Sequence, residues 1–107
     1  MAVGAKPAGS GRFSDAGLLI LLSLADGDKH GYAMLMDIKS SLGVTLGIGT
    51  LYQAVDRMVN QGLIEPLPSS DRRRPYRLTA LGEAELRRQL DMMHRLTTLG
   101  QHRLAGI

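Results

Sequence analysis

The sequence has no cysteine and no tryptophan, and its aromatic residues are one phenylalanine and three tyrosines. Without cysteine there can be no disulfide, zinc–thiolate centre or thiol nucleophile. The absence suits a reducing compartment, and a cytoplasmic location is expected. With aromatics at 4% of 107 residues, the core must be built from Leu, Ile, Val, Met and Ala, a composition that favours helices. That length bounds one domain with a modest core. The longest apolar run, residues 16–25 (AGLLILLSLA), falls well short of the roughly 20 residues that span a bilayer, so no membrane partner is expected. A basic tail before this run and Ala25 at its end are features of a secretory signal. Asp15 directly before the run argues against one, as does the core helix that cleavage would remove. Catalytic patterns are missing too: no H-E-x-x-H, no phosphate-cradling glycine loop and no Ser-His-Asp pattern. His94 and His102 are eight apart, two helical turns, and out of range of a shared ligand; Asp26 and Asp28 flank Gly27 as a turn does. No enzyme activity, no cofactor and no metal are expected.

What is present is a concentrated charge. The net charge is +3, and four arginines (Arg72, Arg73, Arg74 and Arg77) with one acid, Asp71, carry all of it within seven residues. A local surplus of this kind suits contact with a polyanion. Three adjacent arginines also suit a solvated loop, so their neighbours must decide.

Residues 1–13 are rich in Gly, Ala and Ser, carry Lys6 and Arg12, and show no apolar period; a disordered tail is expected. Ser14 and Asp15 are placed to cap a helix over 16–25. That helix is apolar nearly all round, which calls for burial on most sides and hints at a partner chain. Residues 26–30 (DGDKH) signal a turn. A second helix runs from 31 to about 42, with Tyr32, Leu35, Met36, Ile38 and Leu42 facing in, Asp37, Lys39 and Ser40 facing out, and Gly43 as C-terminal cap. A short glycine-containing turn leads to a third helix beginning at Gly49 and ending at Gly62. Leu51, Val55, Met58 and Gly62 form its inner face, with Tyr52 and Val59 beside them. Thr50, Gln53, Ala54, Arg57 and Gln61 form its outer face, with Asp56 to the side. Residues 63–67 are a short strand that Pro66 confines to an edge. A turn, the arginine tip and a second strand over 76–78 complete a hairpin.

Two helices joined by a tight turn and followed by a basic hairpin make a winged helix-turn-helix: mainly α, with three helices and a two-stranded wing. Thr79 then caps a long last helix on which Leu86, Leu90, Met93, Leu96 and Leu99 recur at spacings of three and four, with Gly100 expected to break it. A long helix with one apolar seam most often pairs with another helix, here a C-terminal dimerisation helix. The expected organisation is a tail over 1–13, a winged helix-turn-helix domain over 14–78 and the dimerisation segment over 79–107.

Four short motifs carry a family resemblance: His30, Gly31 and Tyr32; Gly49, Thr50, Leu51 and Tyr52; Gly62, Leu63, Ile64 and Glu65; and Tyr76, Arg77, Leu78 and Thr79 with Gly82. Each alone is unspecific, but all four in this order resemble the PadR-type transcriptional regulators, in particular their short subgroup without a large C-terminal domain. The likeness covers residues 16–99. It implies a homodimeric, mostly repressing DNA-binding protein of the bacterial cytoplasm that docks on a palindromic operator in double-stranded DNA. It also implies that the first and last helices exchange contacts between subunits. Two departures stand out. Gln53 occupies a position where the family commonly has proline, and glutamine can read adenine. Some short members stack flat aromatic drugs on a tryptophan of the last helix, whereas this chain offers Met92, Met93 and His94.

The expected DNA-binding residues are therefore Thr50, Tyr52, Gln53 and Arg57 on the third helix, Arg72, Arg73 and Arg74 on the wing, and Lys29 and Tyr32 before them. The expected dimer interface is Leu18, Leu19, Leu22, Leu86, Leu90, Met93, Leu96 and Leu99. Met92, Met93 and His94 form the candidate site for a small-molecule effector. The alternative is a winged-helix module that uses the same surface to bind an acidic protein, without sequence-specific DNA binding.

Overall fold

The computed structural model describes residues 15–70 and 72–106. The tail expected over 1–13, the cap expected at Ser14 and the acid Asp71 lie outside them. The elements in order are α1 (Ala16–Leu24), β1 (Lys29–His30), α2 (Gly31–Leu42), α3 (Ile48–Asn60), β2 (Ile64–Pro66), β3 (Pro75–Leu78) and α4 (Ala80–Leu104). This is a mainly helical winged helix-turn-helix with a long last helix.

Asp15 caps α1, its Oδ1 accepting from the Leu18 amide at 3.3 Å. The helix buries Ala16, Leu19, Ile20, Leu21, Ser23 and Leu24. Much of the burial that α1 calls for comes from its own chain: α2, α3, α4 and β3 pack against it, leaving Leu22 exposed. A small domain can sheath a nine-residue helix because four elements reach it from different directions.

The inner face of α2 also differs from expectation. Its buried residues are Gly31, Met34 and Ile38, while Tyr32, Met36 and Leu42 are exposed. Hydrophobicity alone points those three side chains inward, but the helix rotates to seat the flexible Met34 in the core instead. His30 opens α2, its Nδ1 accepting from the Ala33 amide at 3.3 Å, and Gly43 closes it in a left-handed conformation.

The sheet has three strands, in the order β1-β3-β2, all antiparallel. β2 is an edge strand, as Pro66 requires. The added strand is β1, where Lys29 and His30 pair with Tyr76 and Pro75. Two residues are too few to leave a periodic signal.

Thr79 locks the start of α4. Its hydroxyl donates to the Gly62 and Leu63 carbonyls at 2.6 and 3.0 Å and accepts from the Gly82 amide at 3.0 Å. The first turns of α4 bury Gly82 and Leu86. Gly82 is obligatory, because a Cβ there would overlap the Leu63 carbonyl. Gly100 does not end the helix, which continues to Leu104. A single glycine costs about 1 kcal/mol in a helix but keeps its backbone hydrogen bonds. Every residue from 91 to 106 is exposed, and this projecting rod helps stretch the molecule to 57 Å against 28 and 25 Å in the other two directions. Among the described residues, no helix is long and apolar enough to cross a membrane.

Candidate nucleic-acid interface

The buried row of α3 is Leu51, Ala54, Val55 and Met58. Ala54, expected on the outer face, is therefore a core residue. The correction rotates the outward face. With 3.6 residues per turn, the line opposite the buried row is Gly49, Gln53, Asp56 and Asn60, and all four are exposed. Gln53 stands in the middle of this face. Asp56, expected at the side, stands in it too.

The other expected α3 residues flank that line. Thr50 turns toward the helix start, where its hydroxyl would be 3.8 Å from a Cβ on Gly47. Arg57 lies over the first turn of α1: a Cβ on Gly17 would be 3.8 Å from Arg57 Nη2 and 3.3 Å from Asp15 Oδ1. Its guanidinium is thus brought to the α1–α3 junction rather than beside Gln53. Tyr52 leans the other way, toward the wing, and its phenol ring packs on Gly31 so closely that a Cβ there would overlap it. This contact explains physically why a glycine follows His30.

On the wing side, Tyr52 joins a cleft of about 290 Å³ lined by His30, Tyr32, Tyr76, Arg72, Arg73 and Arg74. The structure therefore assembles five of the expected DNA contacts, together with His30 and Tyr76, which the sequence reading had not assigned to the site. The signal for Tyr76 was its place in a strand beside the arginines. Burial, and then the neighbouring Tyr52 phenol, raise the Tyr76 pKa above the ordinary tyrosine value. Tyr76 thus stays a neutral hydrogen-bond donor at physiological pH. A cleft of phenol, imidazole and guanidinium groups is suited to a phosphate oxygen. Arg77 takes a different part, pairing with Glu65 across the strands at 3.4 Å. Lys29 is not in the cleft either; its ammonium is bound to the Asp26 carboxylate and the Ser23 carbonyl.

The expected dimer residues divide into two sets. Leu19 and Leu86 are buried within the chain, and Leu18 packs against its core. Leu22, Leu90, Met93, Leu96 and Leu99 are exposed. Met92, Met93 and His94 are consecutive and point in three directions around α4, so within one chain they line no common pocket. His94 instead shares a shallow groove of about 390 Å³ with Arg95, Thr98, Leu99 and His102. Three ion pairs brace the helix: Glu83 with Arg87, Glu85 with Arg88 and Asp91 with Arg95, at 2.6–2.7 Å.

Residues 20–88 match the model of a family described as the transcriptional regulator PadR-like family. An uncharacterized 37.1 kDa protein in transposon TN4556 of Streptomyces fradiae is 42% identical over 86 residues, which are 80% of this chain. The match spans only 25% of that relative's length. Among solved structures, a PadR family transcription regulator from Clostridium difficile superposes with a TM-score of 0.76 at 24% identity, covering 83% of this chain and 97% of that one. Bacillus subtilis PadR in complex with operator DNA gives a TM-score of 0.61 at 24% identity, covering 69% of this chain and 45% of that one. At these identities the likeness is one of fold.

Proposed function

The chain belongs to the PadR-like family of transcriptional regulators, and on that premise we propose that it is a sequence-specific DNA-binding repressor acting as a homodimer in the cytoplasm. The observation that carries the proposal is an exposed α3 face flanked by an arginine-tipped wing, with Tyr52 of α3 and the wing arginines lining one cleft of phenol and guanidinium groups. The α3 face enters the major groove. Tyr52, Tyr76 and the wing arginines hold flanking phosphates and fix the register of the helix. The operator-bound Bacillus subtilis protein of similar fold supports this mode.

The dimer reading rests on α4. Positions 82, 86, 93, 97, 100 and 104 share one row. Its first two members, Gly82 and Leu86, are buried in the domain, and the same row then runs on into solvent through Met93, Gly100 and Leu104. Leu96, Met92 and Leu99 widen this face to an arc of about half the circumference, interrupted by Arg103. A second copy of the chain covers this arc, with Gly100 allowing a close helix approach. A palindromic operator follows from the two-fold symmetry. The groove lined by His94, Arg95, Thr98, Leu99 and His102 lies beyond one edge of this arc, shares only Leu99 with it, and is open to a small-molecule effector.

Fluorescence anisotropy with DNA from upstream of the protein's own gene tests the reading. The expected result is a sequence-selective complex whose affinity falls steeply with salt as counterions are released. Binding that is absent, or indifferent to both sequence and salt, would favour a protein-interaction module instead.

A further inference from the structure

The face that α3 turns outward carries one charge, and it is negative. Asp56 lies in line with Gly49, Gln53 and Asn60, is exposed, and has no hydrogen bond or ion pair among the described residues. Its charge acts on the Tyr76 phenol, helping to raise that group's pKa. A carboxylate in this position is repelled by every phosphate of the duplex. Its presence is compatible with groove entry only where a base edge supplies a donor.

We propose, building on the DNA-binding role above, that Gln53 and Asp56 are the specificity-determining pair, with Gln53 reading adenine and Asp56 reading cytosine on the neighbouring base pair. In the major groove guanine shows two acceptors, and thymine shows an acceptor and a methyl group. A carboxylate, which only accepts, is repelled by both. Adenine offers its amino group beside the N7 acceptor, which opposes the second carboxylate oxygen. Cytosine offers the amino group without that acceptor. The primary amide of Gln53 has both a donor and an acceptor and matches the adenine N6–N7 edge. Three residues advance a helix by about 4.5 Å, against about 3.4 Å between successive base pairs. The pair therefore reaches adjacent steps. Gly49, one turn earlier on the same line, has open space where a Cβ would stand, and the bare backbone lets the helix start sit close to the base edges.

Asp56 thus acts mainly by rejection. It weakens binding to DNA in general and spares the sites that present cytosine to it. The test is selection of binding sites from a random DNA pool by the intact protein and by Asp56→Asn, followed by affinities for the selected site and its single-base variants. The exposed, unbonded carboxylate predicts an unchanged thermal midpoint for the variant. The wild type is expected to select a half-site with adjacent adenine and cytosine, losing at least about fivefold when guanine or thymine replaces that cytosine. Asp56→Asn is expected to bind unselected DNA several-fold more tightly and to lose the discrimination at that one position. If the variant keeps the wild-type consensus and changes all affinities equally, Asp56 does not reach a base and the proposal is overturned, while the DNA-binding reading stands. If the wild type selects no sequence at all, the DNA-binding reading fails with it.

Discussion

Ser23 shows how much a single residue can hide. It lies in the otherwise apolar α1 and is buried, and its hydroxyl donates to Asp37 Oδ2 of α2 at 2.6 Å. Ser41 donates to the other carboxylate oxygen at 3.1 Å. The Ser23 hydrogen bond, foremost, lowers the Asp37 pKa from its ordinary 3.8, with smaller help from Ser41 and Lys29 against partial burial. In the sequence Asp37 reads as a solvent-facing charge, because nothing local announces a partner fourteen residues away. Asp37→Ala should destabilise the fold by about 1–3 kcal/mol by leaving the Ser23 hydroxyl unsatisfied, and urea unfolding measures it. Pairing Asp37→Ala with Ser23→Ala should recover part of the loss; additive losses would refute the link. Gly31 gives a second prediction. Gly31→Ala forces the Tyr52 ring from its seat, and a cost of about 1–3 kcal/mol is expected for such overpacking. Combined with Tyr52→Ala, the same change should be far milder.

Among the elements, those with long periodic patterns were the readable ones. α1, α2, α3 and α4 stand within a few residues of their expected bounds, and Pro66 correctly marked β2 as an edge. What the sequence could not supply was rotation about the helix axis. Ala54 fits either face of α3 by its size, and placing it outward displaced Asp56 from the face it occupies. Tyr32 and Met36 look inward-facing by their hydrophobicity, yet they are exposed. β1 escaped notice because its pairing partner lies more than forty residues away. The extension of α4 past Gly100 went unread because propensity marks glycine as a stop, whereas the helix tolerates one at modest cost.

The wing and α4 can each be tested as units. Replacing Arg73 and Arg74 by Ala should weaken binding on all DNA sequences alike and flatten the dependence of affinity on salt; an unchanged slope would remove the wing from the interface. On α4, the Arg88 hydrogen bond, and then that from Gln89, hold the Glu85 pKa down to about 2 from its ordinary 4.5. Because the folded value is the lower one, Glu85 stabilises the fold fully above about pH 4.5. That contribution is lost as the pH falls toward 2. The stability gap between wild type and Glu85→Gln should therefore narrow as the pH falls below about 4.5 and close at about 2 in thermal unfolding. A gap that persists would mean that Glu85 acts without its charge.

Taken whole, the molecule is a small winged-helix head on a rod 25 residues long whose far half is exposed throughout. Of the two helices whose sequence pointed to a partner, the first is covered largely from within its own chain, so the case for a dimer rests on the rod. Sedimentation should return twice the chain mass, and Leu96→Glu with Leu99→Glu should return a folded monomer with much weaker DNA binding. The central claim is a symmetric pair of α3 helices held about one DNA turn apart by α4. It is tested most directly by anisotropy titration of the selected operator against the same operator with five base pairs inserted between its half-sites. The insertion rotates one half-site to the opposite side of the duplex, so tight binding should fall by at least about a hundredfold toward the non-specific level. Equal affinity for the two DNAs would contradict the paired reading head.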